Sequence, residues 1–442
     1  MNREEVIALS NSYSTPAERN RLKEYFSDIN RLVTNKRTIV FSTPSETGTS
    51  FFRVLEPLLS IYRATDDYNL LYTEALDPRM FEVADLIVLH RAGDKHDWFH
   101  TVQEKYMRDK VKPIIVHNVD DNEFNLPASH PMREMWLATG KDKMSLRSLI
   151  KSAFIETTTL KLASTFKTMN KNVEIRRNRF NWRLPQWNLD NTEKVEKFGN
   201  KFVIGWAGLT SHYNDLVKMQ PILKEIQGKY PNVHIVLAGM AIKDTVFTIE
   251  IDPNTGQKVM KESDLPPGAK TYRQKVEELF ADLDQDRLTI ETAVGLEDYG
   301  RFYSWFDLGI SYIEHNTFNS CKSEIKSVEY AKYGGIPIMS YFGGYKDFLD
   351  IHDNEYKDNK LKDVLGCTTE QASEWISKIS KIIDLYNNDI NKYNELSKHL
   401  KAFVEDYYDI DKFINEQIGF YNRLIEENRE KEIHRITQLR YS

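Results

Sequence analysis

"FNSCKSEIKSVEYAKYGGIPIMS" (318–340) has three parts: a polar opening, a stretch with helical spacing, and, after a Gly-Gly stop, an apolar run of strand length. Ile325 and Val328 are spaced as on one helix face, whereas Ile336, Ile338 and Met339 crowd into a single short run. A helix that stops at glycine and hands over to an unbroken apolar strand is the repeating unit of a parallel α/β sheet. The spacing predicts a helix over 320–333, capped by Asn319 or Ser320, and a buried strand over 336–340.

That helix is at odds with its own electrostatics. Lys322 falls in the first turn, where the positive end of the helix dipole disfavours a cation. Successive helical residues advance by about 100°, so Lys322, Lys326 and Glu329 share one face within roughly 60°. One reading is a solvated face carrying a Lys–Glu pair worth about 0.3 kcal/mol. The other is a bound anion: free N–H groups and Lys322 hold a phosphate, and a carboxylate roughly 10 Å further along reaches ribose hydroxyls. Such a ligand is a nucleoside diphosphate.

The same rhythm fills the chain on either side. A first series of strand-like runs comprises "TIVFS" (38–42), "NLLYTE" (69–74), "DLIVLH" (85–90), "KPIIVHN" (112–118) and "NVEIRR" (172–177). Helix-like segments, "TSFFRVLEPLLSIYR" (49–63) and "HDWFHTVQEKYMRDK" (96–110), lie between them. After the polar interval "NWRLPQWNLDNTEKVEKFGN" (181–200) a second series begins: "KFVIGWAG" (201–208), "VHIVLAGM" (233–240), "RLTIETAV" (287–294), "DLGISYIE" (307–314) and "IPIMS" (336–340). The expected fold class is α/β, with two doubly wound, Rossmann-like domains facing each other across a cleft. The expected boundaries are 1–195 for an N-terminal domain, 196–400 for a C-terminal domain with a β-hairpin inserted near 244–261, and 401–442 for helices packing back on the first domain.

Composition bounds the function. A chain of 442 residues, 40% hydrophobic and 12% aromatic, has enough apolar mass for two packed domains. A balance of 60 basic against 66 acidic residues excludes a surface coated in positive charge but leaves room for one basic patch. That patch is Lys161–Arg183, where Lys161, Lys167, Lys171, Arg176, Arg177, Arg179 and Arg183 face only Glu174, with Phe166, Phe180 and Trp182 interleaved. Basic and aromatic side chains together suit a nucleic-acid groove, and equally a solvated strand edge. Cys321 and Cys367, without a CxxC or a His/Cys cluster, exclude a disulfide scaffold and a structural zinc site. With no secretory signal and no long apolar run, a cytoplasmic protein without a membrane span is expected.

"KSEIKSVEYAKYGGIPIM" (322–339) is similar to the donor-binding segment of GT-B glycosyltransferases of the broad group-1 family. Three more stretches match that family in order: "IVHNVDDNEFNLP" (115–127), "VIGWAGLTSHYNDL" (203–216) and "LEDYGRFYSWFDLGISYI" (296–313). Many members carry a pair of glutamates of which Glu329 corresponds to the second, and Cys321 stands where the first would be. The resemblance implies hexosyl or pentosyl transfer from a nucleoside-diphosphate sugar to a hydroxyl, with retention, with no bound cofactor and without a metal.

The implied donor site is Gly208, Thr210, Lys322, Ser323, Lys326 and Glu329. His117 and Asp120, at a strand end, join Lys322 as candidate catalytic groups; a core histidine and a turn-capping aspartate are the plainer readings. Gly48, Arg53, Arg176 and Arg179 are the acceptor-side candidates, Arg53 either reaching a phosphate or pairing with Glu56. A glycan or a hydroxymethylated DNA base fits as acceptor. A sugar-nucleotide epimerase and a non-catalytic nucleotide-sugar-binding protein are the alternatives on the same architecture.

Overall fold

Two runs of aliphatic and β-branched residues each build a six-stranded sheet in which every neighbouring pair is parallel. The computed structural model describes residues 1–441 apart from 46, 92–104, 106, 109, 131, 242–243, 252, 254–257 and 357–359. The expected helix over 96–110 and the "DPNTGQ" turn at 252–257 therefore lie largely outside the described residues.

Unit 1 comprises Met1–Phe124, Lys141–Pro185 and Tyr408–Ser442. Its strands are β1 (Arg37–Ser42), β2 (Tyr68–Thr73), β3 (Leu86–His90), β4 (Ile114–Val119), β5 (Phe154–Thr157) and β6 (Val173–Ile175), in the order β2-β1-β3-β4-β5-β6. Ile39, Val40, Phe41, Leu71, Ile87, Val88 and Val116 are completely buried, as a sheet covered on both faces requires. The long C-terminal helix Ile410–Tyr441 belongs to this unit: the hydroxyl of Tyr421 donates to Glu156 on β5 at 3.2 Å, and Ser60 donates to Asp411 at 2.8 Å. Strand β5 is absent from the sequence expectation.

Unit 2 comprises Asn125–Gly140 and Gln186–Tyr407. Its main sheet contains β7 (Phe202–Ala207), β8 (Val233–Met240), β11 (Leu288–Thr292), β12 (Leu308–Ser311), β13 (Ile336–Ser340) and the two-residue β14 (Gly366–Cys367). The order β11-β8-β7-β12-β13-β14 is the doubly wound Rossmann arrangement. The hairpin is β9 (Thr245–Ile251) against β10 (Lys258–Asp264), antiparallel. The chain passes into unit 2 after Pro185 and not at 195, because Trp187 is buried against Tyr299, edge to face at 6.1 Å, and Gln186 O accepts the hydroxyl of Tyr333. No helix among the described residues is long and apolar enough to cross a membrane.

Candidate functional site

In unit 2 the strand order reverses between β7 and β12, and the crevice outside the carboxyl ends of these strands is where doubly wound sheets take ligands. Gly208 follows β7 there. A Cβ on it would lie 2.7 Å from the Trp206 ring and 3.2 Å from the Lys326 ammonium, so the position admits only hydrogen. A 3₁₀ turn, Thr210–His212, then leads into the helix Tyr213–Lys229, which has no side-chain cap over its first N–H groups. Thr210 is exposed at this entrance.

The segment after β12 differs from its sequence expectation. The backbone N–H of Asn319 donates to Asn316 Oδ1 at 2.8 Å and starts a 3₁₀ turn, Asn319–Cys321. Lys322 then turns extended (φ −68°, ψ 146°), and the α-helix is only Ile325–Lys332, with Glu324 at its N-cap. Lys322 is therefore not in the first turn of that helix, and the shared helix face is limited to Lys326 and Glu329. The cause is tertiary: Lys322 O accepts the N–H of Gly344 at 3.1 Å, and a Cβ on Gly344 would lie 2.4 Å from that oxygen. The "FGGYK" turn after β13 docks where a longer helix would have run.

The charges at this edge are unevenly matched. Lys326 is half-buried, its Nζ 5.5 Å from the Trp206 ring centroid, and it has no hydrogen-bond or ion-pair partner among the described residues. Burial, helped by Lys322, lowers its pKa to about 8 against the pull of Asp215 and Glu329. Lys322 is half-buried with its ammonium 4.7 Å from the Phe318 ring, and Ser323 follows it. Glu329 is completely buried, and among the described residues neither carboxylate oxygen has a hydrogen-bond partner, although Tyr303 and Tyr299 face it. Burial pushes its pKa up to about 8. Two cationic side chains, a capless helix start and a glycine that leaves backbone exposed are the kinds of group that bind an anion.

Two residues that sequence reading passed over belong here. Asp215 Oδ1 accepts the N–H of Glu314 at 2.9 Å, and Oδ2 lies 2.7 Å from His212 Nδ1. Burial raises the Asp215 pKa to about 6, opposed by the Glu314 N–H and by Lys326 and Lys322. The His-x-x-Asp spacing directly after the glycine loop was the available signal.

The unit 1 candidates have settled partners. His117 is buried, with Nδ1 3.0 Å from Ser148 Oγ, the arrangement of a core histidine. Asp120 is held by Arg91 through contacts of 2.6 and 2.9 Å; burial opposes its charge, but Arg91 prevails and brings its pKa down to about 2. Such a carboxylate is a poor base at neutral pH. Arg53, inside a π-helical turn Phe51–Leu55, is 4% exposed. Its Nε donates to Asn118 Oδ1 at 2.8 Å and its Nη1 to Arg176 O, and it does not pair with Glu56, which accepts the hydroxyl of Tyr13. Gly48 opens the helical run, and a Cβ added there would meet no atom of the described residues within 4 Å. Arg179 sits 3.6 Å over the Phe413 ring, and Arg176 sits 4.5 Å over Phe420 while pairing with Glu156 and Glu416. Both arginines are engaged by the C-terminal helix. Among the described residues no cluster of His, Cys, Asp and Glu has the makings of a metal site.

No family model matches the chain, and no curated protein matches it by sequence. Solved structures do match. Sucrose-phosphate synthase from Thermosynechococcus elongatus aligns with 89% of this chain and 100% of its own, with a TM-score of 0.58 at 11% identity. HepE of Anabaena, in complex with UDP and glucose, aligns over 88% and 99% with a TM-score of 0.56 at 12% identity. A glycosyltransferase from Rickettsia africae aligns over 88% and 99% with a TM-score of 0.56 at 13% identity. The chain has the GT-B fold of these glycosyltransferases.

Proposed function

We propose that the chain is a glycosyltransferase that moves a sugar from a nucleoside-diphosphate sugar to a hydroxyl acceptor. The observation that carries this reading is the half-buried Lys326 ammonium, unpaired among the described residues and set 3.2 Å from the vacant Cβ position of Gly208 at the switch point of unit 2. An unpaired buried cation is costly unless an anion arrives. The diphosphate supplies that anion, with Thr210 and Ser323 donating hydroxyls and Lys322 adding charge that counts most as the leaving group develops it. Ribose hydroxyls would satisfy the orphaned oxygens of Glu329. Lysines and helix N–H groups do the neutralising that a metal would otherwise do. The UDP held by HepE, on the same fold, supports a nucleoside diphosphate as the recognised half of the donor.

The sugar is a hexose or pentose. Retention, which the resemblance implies, is associated with a carboxylate at the position of Cys321; this chain has a buried thiol there, so the stereochemical course turns on the acceptor side. The engagement of Arg176 and Arg179 by the C-terminal helix favours a glycan over DNA as acceptor. Labelled donors incubated with glycan and hydroxymethylated DNA acceptors test the reading. Transfer to one of them is expected, and interconversion of donors without acceptor would instead mark an epimerase.

A further inference from the structure

The chain between β4 and β5 does not stay with the sheet that both strands belong to. Residues Asn125–Gly140 are part of unit 2, where the helix Arg133–Thr139 packs against both strands of the β9–β10 hairpin. Just before that helix the chain turns on itself: the N–H of His130 donates to Pro127 O at 2.9 Å, and the N–H of Arg133 donates to His130 O at 3.1 Å. The N–H of Met132 donates to His130 Nδ1 at 3.2 Å. An imidazole nitrogen that accepts a hydrogen bond carries no proton, so the ring is in its neutral Nε2–H form and is oriented by its own backbone.

This ring packs on the donor site. It meets the Phe318 ring with centroids 5.4 Å apart and planes at 69°. Phe318 is 4% exposed and opens the 3₁₀ turn that leads to Lys322, whose ammonium lies 4.7 Å from the same ring. One phenylalanine thus touches both an imidazole set by the segment after β4 and a cation placed in the proposed diphosphate site. A lysine side chain samples many rotamers and gives up that freedom when it grips a ligand. A ring that attracts the ammonium restrains it beforehand, and the attraction strengthens as water is kept from the ring.

We infer that His130 is a positioning residue of the donor site: by packing on Phe318 it keeps that ring dry and in place, and so holds the Lys322 ammonium ready for the diphosphate. The inference rests on the function proposed above. His130 acts through Phe318 and Lys322, not on the diphosphate itself. It lies three residues beyond the family-like stretch 115–127, in a segment whose flanking strands build the sheet of unit 1, so its neighbour in space is remote in sequence.

The test is calorimetric titration of UDP, ADP and GDP into the full chain and its variants, with thermal unfolding of each sample. His130→Ala should weaken the nucleoside diphosphate that binds the wild type by about three- to tenfold, the range of a cation–π contact. His130→Gln, which keeps a polar side chain for the Met132 N–H but has no ring, should lose as much. His130→Phe, which keeps a ring against Phe318, should stay within about twofold of the wild type. In a Lys322→Ala background the loss from His130→Ala should vanish, because the cation it positions is gone. If His130→Ala fails to fold, His130→Gln against His130→Phe carries the same comparison. Wild-type affinity in the folded ringless variants, or an equal loss with and without Lys322, would overturn the role of His130. Failure of the wild type to bind any of the three, or unchanged binding by Lys322→Ala, would remove the donor site itself and this role with it, a result that reads differently from a failure of His130 alone.

Discussion

Asp215 accepts the backbone N–H of Glu314 at 2.9 Å, and this bond fastens the start of the helix after β7 to the loop after β12. Its other oxygen holds His212, and its charge faces Lys326 and Lys322. One carboxylate thus joins the two strand ends of the switch point and balances the resident cations.

Asp215→Ala should lower the stability of unit 2 by about 1–3 kcal/mol in urea unfolding, because the Glu314 N–H loses its partner. Asp215→Asn should recover much of that stability but not the charge. Lys326 would then lose a proton more readily, since Asp215 is the first of the groups that favour its charged form. Nucleoside-diphosphate affinity near neutral pH should fall in both variants.

Gly208→Ala should leave the fold intact and weaken nucleoside-diphosphate binding tenfold or more, which is about 1.4 kcal/mol. The new Cβ presses on the Trp206 ring at 2.7 Å and crowds the Lys326 ammonium at 3.2 Å. Thermal unfolding and calorimetry on the same sample separate the two effects.

Nucleoside-diphosphate affinity should decline as pH rises through 8, because Lys326, lowered by burial to about 8, sheds its proton there. Glu329 gives a complementary signature in stability. Burial raises its pKa from 4.5 to about 8, so the folded state binds more protons than the unfolded state between those values and stability falls as pH rises through that window. Glu329→Gln removes the dependence. Between pH 5 and pH 9 the stability difference should shift in favour of the variant by roughly 2–4 kcal/mol in urea unfolding.

Arg179→Ala should cost unit 1 about 1 kcal/mol, the worth of its stacking over Phe413, and should leave the salt dependence of transfer unchanged. A steep salt dependence that Arg179→Ala flattens would restore a nucleic-acid acceptor.

Buried parallel strands were easy to read because they are continuous aliphatic runs; "TIVFS", "KFVIGWAG" and "IPIMS" each became a strand. Strand β5 escaped because Phe154–Thr157 is short and half polar, and its buried Glu156 meets Asn118, Arg176 and Tyr421 from other segments. The helix at 325–332 was legible but its start was not, since the Gly344 contact that stops it lies beyond β13 in sequence. Lys326, Glu329 and Gly208 could be picked out from spacing after strands. The pairing that makes Asp120 a poor base could not, because Arg91 reaches it from the end of another strand.

The most direct measurement is calorimetric titration of UDP, ADP and GDP into the wild-type chain and into Lys326→Ala at pH 7. At least one of the three should bind the wild type, and Lys326→Ala should weaken it by roughly 1.5–3 kcal/mol, about ten- to a hundredfold, without loss of folding. Binding of none of them, or equal binding by the folded variant, would contradict a nucleoside-diphosphate site built on Lys326.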